Sequence, residues 1–480
     1  MKRKFVTNLI LLLALNLLIK PFWIFGIDRT VQNLVGDESY GMYFALFNFS
    51  LLLNILLDVG ITSFNNKNIA QNNFLLNKHF SNIVGLKFML AMVYAVFSLL
   101  IAAVVGYSKI QLHLLFFLIF NQFLISFTLY LRSNLSALHL FRTDSLISVL
   151  DRTLMIAICS VLLFSGFFRT FFTVEWFVYA QTVAYLLTAV VTFIIVLKKS
   201  GKISIRFNPK FYIVFLRKSY PYAVLILLMA LYNRIDGVML ERLLPEPIGK
   251  QQAGIYAQAF RLLDAVSMFG VLVAGLLLPI FAKMIKENEP VNQMVKLSFT
   301  FLFVTAVVVA VSSVFYDTEI MDTLYHTNTE YSSHILGILM IGFIGIATTY
   351  IFGTLLTANG SMKQLNIMAL FGMVINVSLN LILIPRFLAF GSAYASLTTQ
   401  LLTATAQLVL AIRIFKIKPN YRFIFRLVAF TLITVVLAVF SKNFENWLAG
   451  YVFLISVSVM TAFLLKLFNI VTLVKTILTK

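Results

Sequence analysis

The feature that most constrains this chain is a succession of apolar blocks that runs through almost all of its 480 residues. Each block is about 20 residues long, the length at which a helix crosses the ~30 Å hydrocarbon layer of a bilayer. Lipid offers no partner to a free backbone N–H or C=O group, so every such block must be helical. The ~10-residue alternating segments of a membrane β-barrel do not occur. The pattern therefore predicts an all-α polytopic membrane protein.

The composition agrees with this prediction, because 60% of the residues are hydrophobic and only 12% are charged. Soluble domains have about 45–50% apolar and about 25% charged residues. The apolar blocks define fourteen predicted spans. These are residues 5–27, 40–64, 83–106, 112–136, 145–166, 173–197, 219–241, 253–281, 296–316, 333–357, 365–385, 389–412, 423–441 and 446–468.

The net charge of +20 would suit a nucleic-acid-binding protein, but its distribution indicates membrane topology instead. Most Lys and Arg residues fall in alternate loops, above all in residues 198–218 and 413–426, whereas an outer segment over residues 317–332 is acidic. Retention of Lys and Arg in the cytoplasm sets the orientation of membrane proteins. We therefore expect both termini in the cytoplasm, contacts of the basic loops with membrane lipids, and no nucleic-acid partner.

Cysteine and histidine give no sign of a metal or cofactor site. Cys159 is the only cysteine and lies within a span, so no intramolecular disulfide can form. The five histidines are scattered without metal-ligand spacing. No loop exceeds about 25 residues, which leaves no room for a soluble catalytic domain. The sequence thus predicts neither a cofactor nor an enzyme.

The basic segment at residues 198–218 divides the chain into six spans before it and eight after it. We expect an N-terminal lobe over residues 1–200, a C-terminal lobe over 201–415 and two additional spans over 416–480. The halves look related. An Ile-Asp pair at the end of span one precedes Gly41 of span two, and the pair ending in Asp236 on span seven precedes Gly254 of span eight. Substrate sites of secondary transporters lie between such repeats.

Ionisable residues within spans are costly, so each needs a partner or a function. Within the predicted spans we single out four basic and four acidic residues: Lys20, Arg152, Arg234, Arg261, Asp58, Asp151, Asp236 and Asp264. Mutual pairing explains part of the set, because Arg261 and Asp264 are three residues apart on one helix. For Asp151 and Arg152, structural and functional interpretations both stay open.

The remaining basic residues suggest an anion site. Lys20, Arg234 and Arg261 lie on spans one, seven and eight, which carry the internal repeat, and Arg29 directly follows span one. Lys and Arg side chains that face a common water-filled space suit an anionic group such as pyrophosphate. Asp58, Asp236 and Asp264 are candidates for coupling to an ion or for charge pairing.

A further set of motifs runs in order along the chain: residues 20–29, 233–240, 253–257 and 261–264, together with Asn376, Asn380, Pro385, Gly391 and residues 393–395. Together these segments resemble the polysaccharide-exporting branch of the superfamily that also contains multidrug and toxin extrusion (MATE) exporters and lipid II flippases. Tyr394 departs from the small residue more common in that branch.

The resemblance implies a MATE-like fold of two six-helix lobes in a V, followed by two C-terminal helices. It also implies a flippase that moves an undecaprenyl-pyrophosphate-linked oligosaccharide across the bacterial inner membrane, for O-antigen (lipopolysaccharide), capsule or exopolysaccharide synthesis. The pathway's polysaccharide polymerase and glycosyltransferases would then be partners. Basic residues on spans one, two, seven and eight would serve the pyrophosphate, which includes Lys20, Arg234 and Arg261.

Two other functions remain open at this stage. A multidrug or cation antiporter of the same fold would favour acidic residues in its site, whereas the spans with the repeat carry a basic excess. A membrane glycosyltransferase or polymerase would need a sizeable outer loop with catalytic carboxylates. The longest outer segment here, near residues 317–332, is short.

Overall fold

The computed structural model describes residues 14–16, 18–62, 65, 69, 75–138, 140–200, 209–417 and 420–468. The start of predicted span one, part of the basic 198–218 segment and both chain termini lie outside these ranges. Within them the chain forms fourteen α-helices and no strand. The α-helices are α1 (Arg29–Leu52), α2 (Leu75–Val105), α3 (Lys109–Ala137), α4 (Phe141–Phe164), α5 (Gly166–Arg169), α6 (Val174–Ser200), α7 (Pro209–Leu243), α8 (Ile248–Lys286), α9 (Asn292–Phe315), α10 (Asp317–Leu324), α11 (Thr329–Ala358), α12 (Met362–Phe415), α13 (Tyr421–Ser441) and α14 (Trp447–Leu464).

Eleven of the described helices are long and apolar enough to cross a membrane. The helix α12 has 54 residues and contains two of the predicted spans, 365–385 and 389–412. The bounds of α13 and α14 differ by at most four residues from the predicted 423–441 and 446–468. Helices α2 and α7 begin eight and ten residues before the predicted starts of spans three and seven. The prediction of an all-α, multi-pass membrane protein is confirmed.

The two spans within α12 are separated by a break at Leu388. Pro385 lacks a backbone donor, and Leu388 has a positive φ of 53°. A Cβ on Gly391 would overlap the carbonyl oxygen of Leu383, so only glycine permits this approach of the backbone to itself. The chain therefore turns sharply between residues 383 and 391.

Span one is longer than predicted, because Asp28 does not end it. A π-helix, Trp23–Asp28, continues directly into α1, and the helical path breaks only at Gly36. Gly36 has φ 79° and ψ 168°, a conformation essentially restricted to glycine. The expected loop between spans one and two is thus a single tight turn. The buried Asp28 looked like a span end because its partner, Tyr40, lies beyond that turn.

The chain divides into two compact units, Met1–Gly254 and Ile255–Lys480, and the boundary falls within α8. In the first unit α1 packs chiefly on α7, and α3 packs on α6. In the second unit α11 packs on both α9 and α12. The lobe boundaries predicted after residues 200 and 415 stay predictions.

The C-terminal hairpin of α13 and α14 packs on α9 within the second unit. Its apolar core includes Val304, Val307, Phe430 and Ala462, all buried. At the other end of the hairpin the Tyr316 hydroxyl donates to Ser441 Oγ at 2.8 Å. The two additional spans are therefore an integral part of the second unit.

Candidate functional site

Lys20 lies on the first span and is half-buried. The side-chain charges that act on it belong to Arg152, Asp151 and Arg132. Arg132 is itself paired with Asp144, with Nε and Oδ1 2.7 Å apart. Charged residues of α3 and α4 therefore contribute to the electrostatic environment of Lys20.

Arg152 on α4 is held by aromatic side chains from two other helices. Its Nη1 donates to the Tyr185 hydroxyl at 2.8 Å and contacts Met155 Sδ at 3.6 Å. The guanidinium carbon lies 5.7 Å from the ring centre of Trp23 and 5.6 Å from that of Tyr185. Both distances are typical of cation–π interactions. The side chain is therefore oriented before any ligand arrives.

Trp23 is only 7% exposed, although tryptophans near the ends of predicted spans are usually interfacial anchors. Its ring stacks on Phe177 at 5.7 Å with an interplanar angle of 5°. Phe177 in turn meets the edge of Tyr43, whose hydroxyl accepts a hydrogen bond from Gln181 Nε2 at 2.9 Å. Trp23 is the first residue of the π-helical segment Trp23–Asp28, which the sequence did not reveal. These rings form an aromatic wall behind Arg152.

Asp28 and Arg29 are neighbours with different surroundings. The Asp28 carboxylate is buried and accepts a hydrogen bond from the Tyr40 hydroxyl at 2.8 Å. The Nε atom of Arg29 is buried and has no hydrogen-bond partner among the described residues. A buried donor without an acceptor costs free energy, so Arg29 Nε is a candidate for binding a polar ligand.

Asp58 forms an ion pair with Lys87 of α2, which had not been placed among the buried charges. Lys87 is 1% exposed and also donates to the Leu57 carbonyl at 3.0 Å and to Ser126 Oγ at 3.2 Å. Helix α2 begins at Leu75, eight residues before the predicted start of span three, so Lys87 lies well inside it. Asp58 therefore has a charge-pairing role in this conformation.

Arg234 and Asp236 lie on α7, where it packs on α1. Asp236 is buried and Arg234 is half-buried. A Cβ on Gly237 would approach the Phe44 ring to 2.7 Å, which shows how close the two helices are. The grouping of Arg234 with Lys20 and Arg29 stays a prediction.

Arg261 and Asp264 belong to the second unit. Arg261 Nη1 and Asp264 Oδ2 are 3.8 Å apart, so the ion pair predicted from their spacing is present. Its distance is long for a charge-assisted hydrogen bond, so the two groups form an electrostatic pair.

A second buried polar cluster in the first unit escaped the sequence analysis. Gln111 Nε2 donates to Glu241 Oε1 at 2.7 Å, and Arg242 Nη2 donates to Gln111 Oε1 at 3.1 Å. The guanidinium carbon of Arg242 lies 3.8 Å from the ring centre of Tyr107. Arg242 Nε lies 2.7 Å from Glu241 Oε2, so the two residues form an ion pair, although without hydrogen-bond geometry. Burial and the Glu241 charge raise the pKa of the Tyr107 hydroxyl. This cluster ties the end of α7 to the turn between α2 and α3.

Similar folds occur among solved membrane transporters. The lipid II flippase MurJ, in an inward closed conformation, superposes with a TM-score of 0.74 at 15% identity over 94% of this chain and 98% of that one. An inward-facing multidrug resistance MATE family transporter of the MOP superfamily gives 0.63 at 15% identity, over 85% and 98%. A eukaryotic MATE transporter gives 0.60 at 15% identity, over 86% and 95%. These likenesses confirm the predicted MATE-like fold.

No curated protein matches the chain. Residues 6–285, more than half of the sequence, match the family described as "Polysaccharide biosynthesis protein". This match covers Lys20, Arg29, Arg152, Arg234 and Arg261. The chain belongs to the polysaccharide biosynthesis protein family.

Proposed function

We propose that this protein is a flippase that moves an undecaprenyl-pyrophosphate-linked oligosaccharide from the cytoplasmic to the periplasmic leaflet of the bacterial inner membrane. The observation that carries the proposal is the group of basic side chains within the spans of a polysaccharide biosynthesis protein. Lys20 is half-buried within reach of the charges of Arg152 and Arg132, and the Arg29 Nε is buried without a partner in the described chain. Such groups are suited to an anionic head group.

In this proposal Lys20, Arg29, Arg234 and Arg261 bind the pyrophosphate. Asp236 and Asp264 are candidates for ion coupling, and Asp58 would take part only if Lys87 released it. Alternating access would move the lobes 1–200 and 201–415 about this site, with residues 416–480 attached to the second lobe. Both termini would lie in the cytoplasm. The polymerase and glycosyltransferases of the same pathway, for O-antigen, capsule or exopolysaccharide, are the expected partners.

The test is display of surface polysaccharide in a deletion strain complemented with the wild type or with the Lys20→Ala, Arg234→Ala double variant. We expect the deletion to abolish display and to leave lipid-linked units in the inner leaflet. The double variant should lower display at least tenfold at normal protein level. Arg169→Ala, which removes an exposed arginine outside the long helices, is the matched control and should display normally.

Each other outcome has a defined meaning. Normal display in the deletion strain, with new sensitivity to cationic drugs, would replace the flippase by a multidrug antiporter of the same fold. Normal display in the double variant alone would retain the flippase and reject the proposed site. Sugar transfer by the purified protein would contradict transport as the primary activity.

A further inference from the structure

The charges around Arg152 do not balance. Arg132 and Asp144 neutralise each other in their ion pair. Lys20 and Arg152 then share one nearby carboxylate, Asp151, whose Oδ1 already accepts the backbone N–H of Arg152 at 2.7 Å. This group therefore carries one excess positive charge within membrane-spanning helices. Such a charge is costly without a compensating anion.

The donors of both cations are available to a ligand. Among the described residues, Arg152 uses only its Nη1 in hydrogen bonds to side chains, so Nε and Nη2 donate to none. Lys20 Nζ likewise donates to none of them. None of these nitrogens is among the described atoms that are fully enclosed without a hydrogen-bond partner. A guanidinium with a free edge is suited to bidentate binding of phosphate.

The guanidinium is also held in place. Trp23 and Tyr185 lie at 5.7 and 5.6 Å from its carbon, and the Tyr185 hydroxyl fixes Nη1. A fixed side chain loses less conformational entropy when it binds a ligand. A purely structural arginine in this position would direct its remaining donors at protein acceptors.

We propose that Arg152 and Lys20 together bind a phosphate group, at a site on spans one and five within the first unit. The inference rests on the proposed function, since it takes the phosphate to be part of the polyprenyl-pyrophosphate cargo. It assigns to Arg152 a direct contact with that cargo. Lys20 supplies the second cation, and Trp23 and Tyr185 are positioning residues.

Trp23 provides the readout, because it lies against Arg152 and is one of only three tryptophans. The full chain carrying Trp176→Phe and Trp447→Phe would be purified in nanodiscs and titrated with geranylgeranyl pyrophosphate, while Trp23 fluorescence is followed. Geranylgeraniol supplies the same chain without the anion, and inorganic pyrophosphate supplies the anion without the chain. We expect saturable binding of geranylgeranyl pyrophosphate, at least tenfold tighter than that of geranylgeraniol.

In the same background Arg152→Gln should weaken geranylgeranyl pyrophosphate binding about tenfold, the scale expected for a hydrogen bond to a charged group. Arg152→Lys should recover only part of the loss, since it restores the charge without the forked donors. Lys20→Gln offers a second variant that breaks no hydrogen bond to the described residues. Its effect should be non-additive with that of Arg152→Gln, because both side chains contact one ligand. Arg169→Gln should bind like the parent.

Unchanged binding in Arg152→Gln, or equal binding of geranylgeraniol and its pyrophosphate, would overturn the site. Inorganic pyrophosphate that binds as tightly as the lipid, and depends equally on Arg152, would support a phosphate site but reject a lipid-linked cargo as its ligand. Arg152-dependent binding together with normal polysaccharide display in the deletion strain would retain the site and reject the flippase. Normal binding by Arg152→Gln together with lost display in the deletion strain would reject the site and retain the flippase.

Discussion

Gly41 of span two and Gly254 of span eight lie against each other's helix with no room for a side chain. A Cβ on Gly41 would overlap the Lys250 carbonyl oxygen and come within 2.6 Å of the Gly254 nitrogen. A Cβ on Gly254 would overlap the Asp37 carbonyl. Gln32 Nε2 completes the contact by donating to the Gly254 carbonyl at 2.9 Å. The two glycines that revealed the internal repeat are thus also its point of contact in the first unit.

Gly41→Ala should therefore destabilise the protein, although alanine is the better helix former. Overpacking of a tight contact costs about 1–3 kcal/mol, so we expect the apparent unfolding temperature to fall by several degrees. The measurement uses the only cysteine, Cys159, which is buried and reacts with a thiol-specific dye only on unfolding.

Gly275→Ala is the matched control, because Gly275 also lies within a long helix but a Cβ there would meet nothing within 4 Å. This variant should unfold at or slightly above the wild-type temperature. Equal behaviour of the Gly41 and Gly275 variants would show that the close packing at Gly41 does not contribute to stability.

Lys87→Met should lower the free energy of unfolding by about 2 kcal/mol. Removal of one partner from a fully buried ion pair costs about 3–5 kcal/mol, and the smaller value follows because the Asp58 side chain is 27% exposed. Adding Asp58→Asn to Lys87→Met removes the unpaired charge and should recover at least half of the loss. Thermal unfolding of the three proteins checks this, and a double variant no more stable than Lys87→Met would contradict the pairing.

Gln111→Leu should cost about 1–3 kcal/mol, since it leaves Glu241 without its hydrogen-bond donor in a buried position. The matched change is Gln181→Leu on α6, which removes a buried glutamine whose side chain, among the described residues, hydrogen-bonds only to the neutral Tyr43 hydroxyl. The Gln111 variant should be the less stable of the two in chemical unfolding. The reverse order would indicate that Glu241 finds another donor.

Tyr316→Phe should loosen the C-terminal hairpin, because it removes the hydrogen bond to Ser441 Oγ. The expected loss is about 1 kcal/mol. Hydrogen exchange should show faster opening near Ser441 and little change in the first unit. Tyr451→Phe is the control, since Tyr451 packs edge-on against Tyr316 but its hydroxyl bonds to no described residue. Equal exchange in the two variants would show that the Tyr316 hydrogen bond does not stabilise the hairpin.

Local patterns in the sequence were sufficient for the helices and for contacts along one helix. The length of the apolar block predicted the start of α13 to within two residues and its end at the correct residue. The spacing of Arg261 and Asp264 predicted their pair because both partners lie on one helix turn.

Contacts between distant residues could not be found in this way. Asp28 was taken for a span end because a lone carboxylate usually marks one, and the Tyr40 hydroxyl that permits its burial comes after a turn. Lys87 and Asp58 are 29 residues apart, so nothing local relates them. The position of Arg152 between Trp23 and Tyr185 depends on the packing of three helices, which no local pattern in one sequence predicts.

The π-helical segment Trp23–Asp28 has a consequence for comparing relatives by alignment. A π-turn holds about one residue more than an α-turn, so the helix before it is rotated by about 100° against the helix after it. A relative with a plain α-helix here should align only with a one-residue gap between positions 23 and 28. Without that gap, an alignment that is correct at Lys20, before the segment, would be displaced by one position at Asp28 and Arg29.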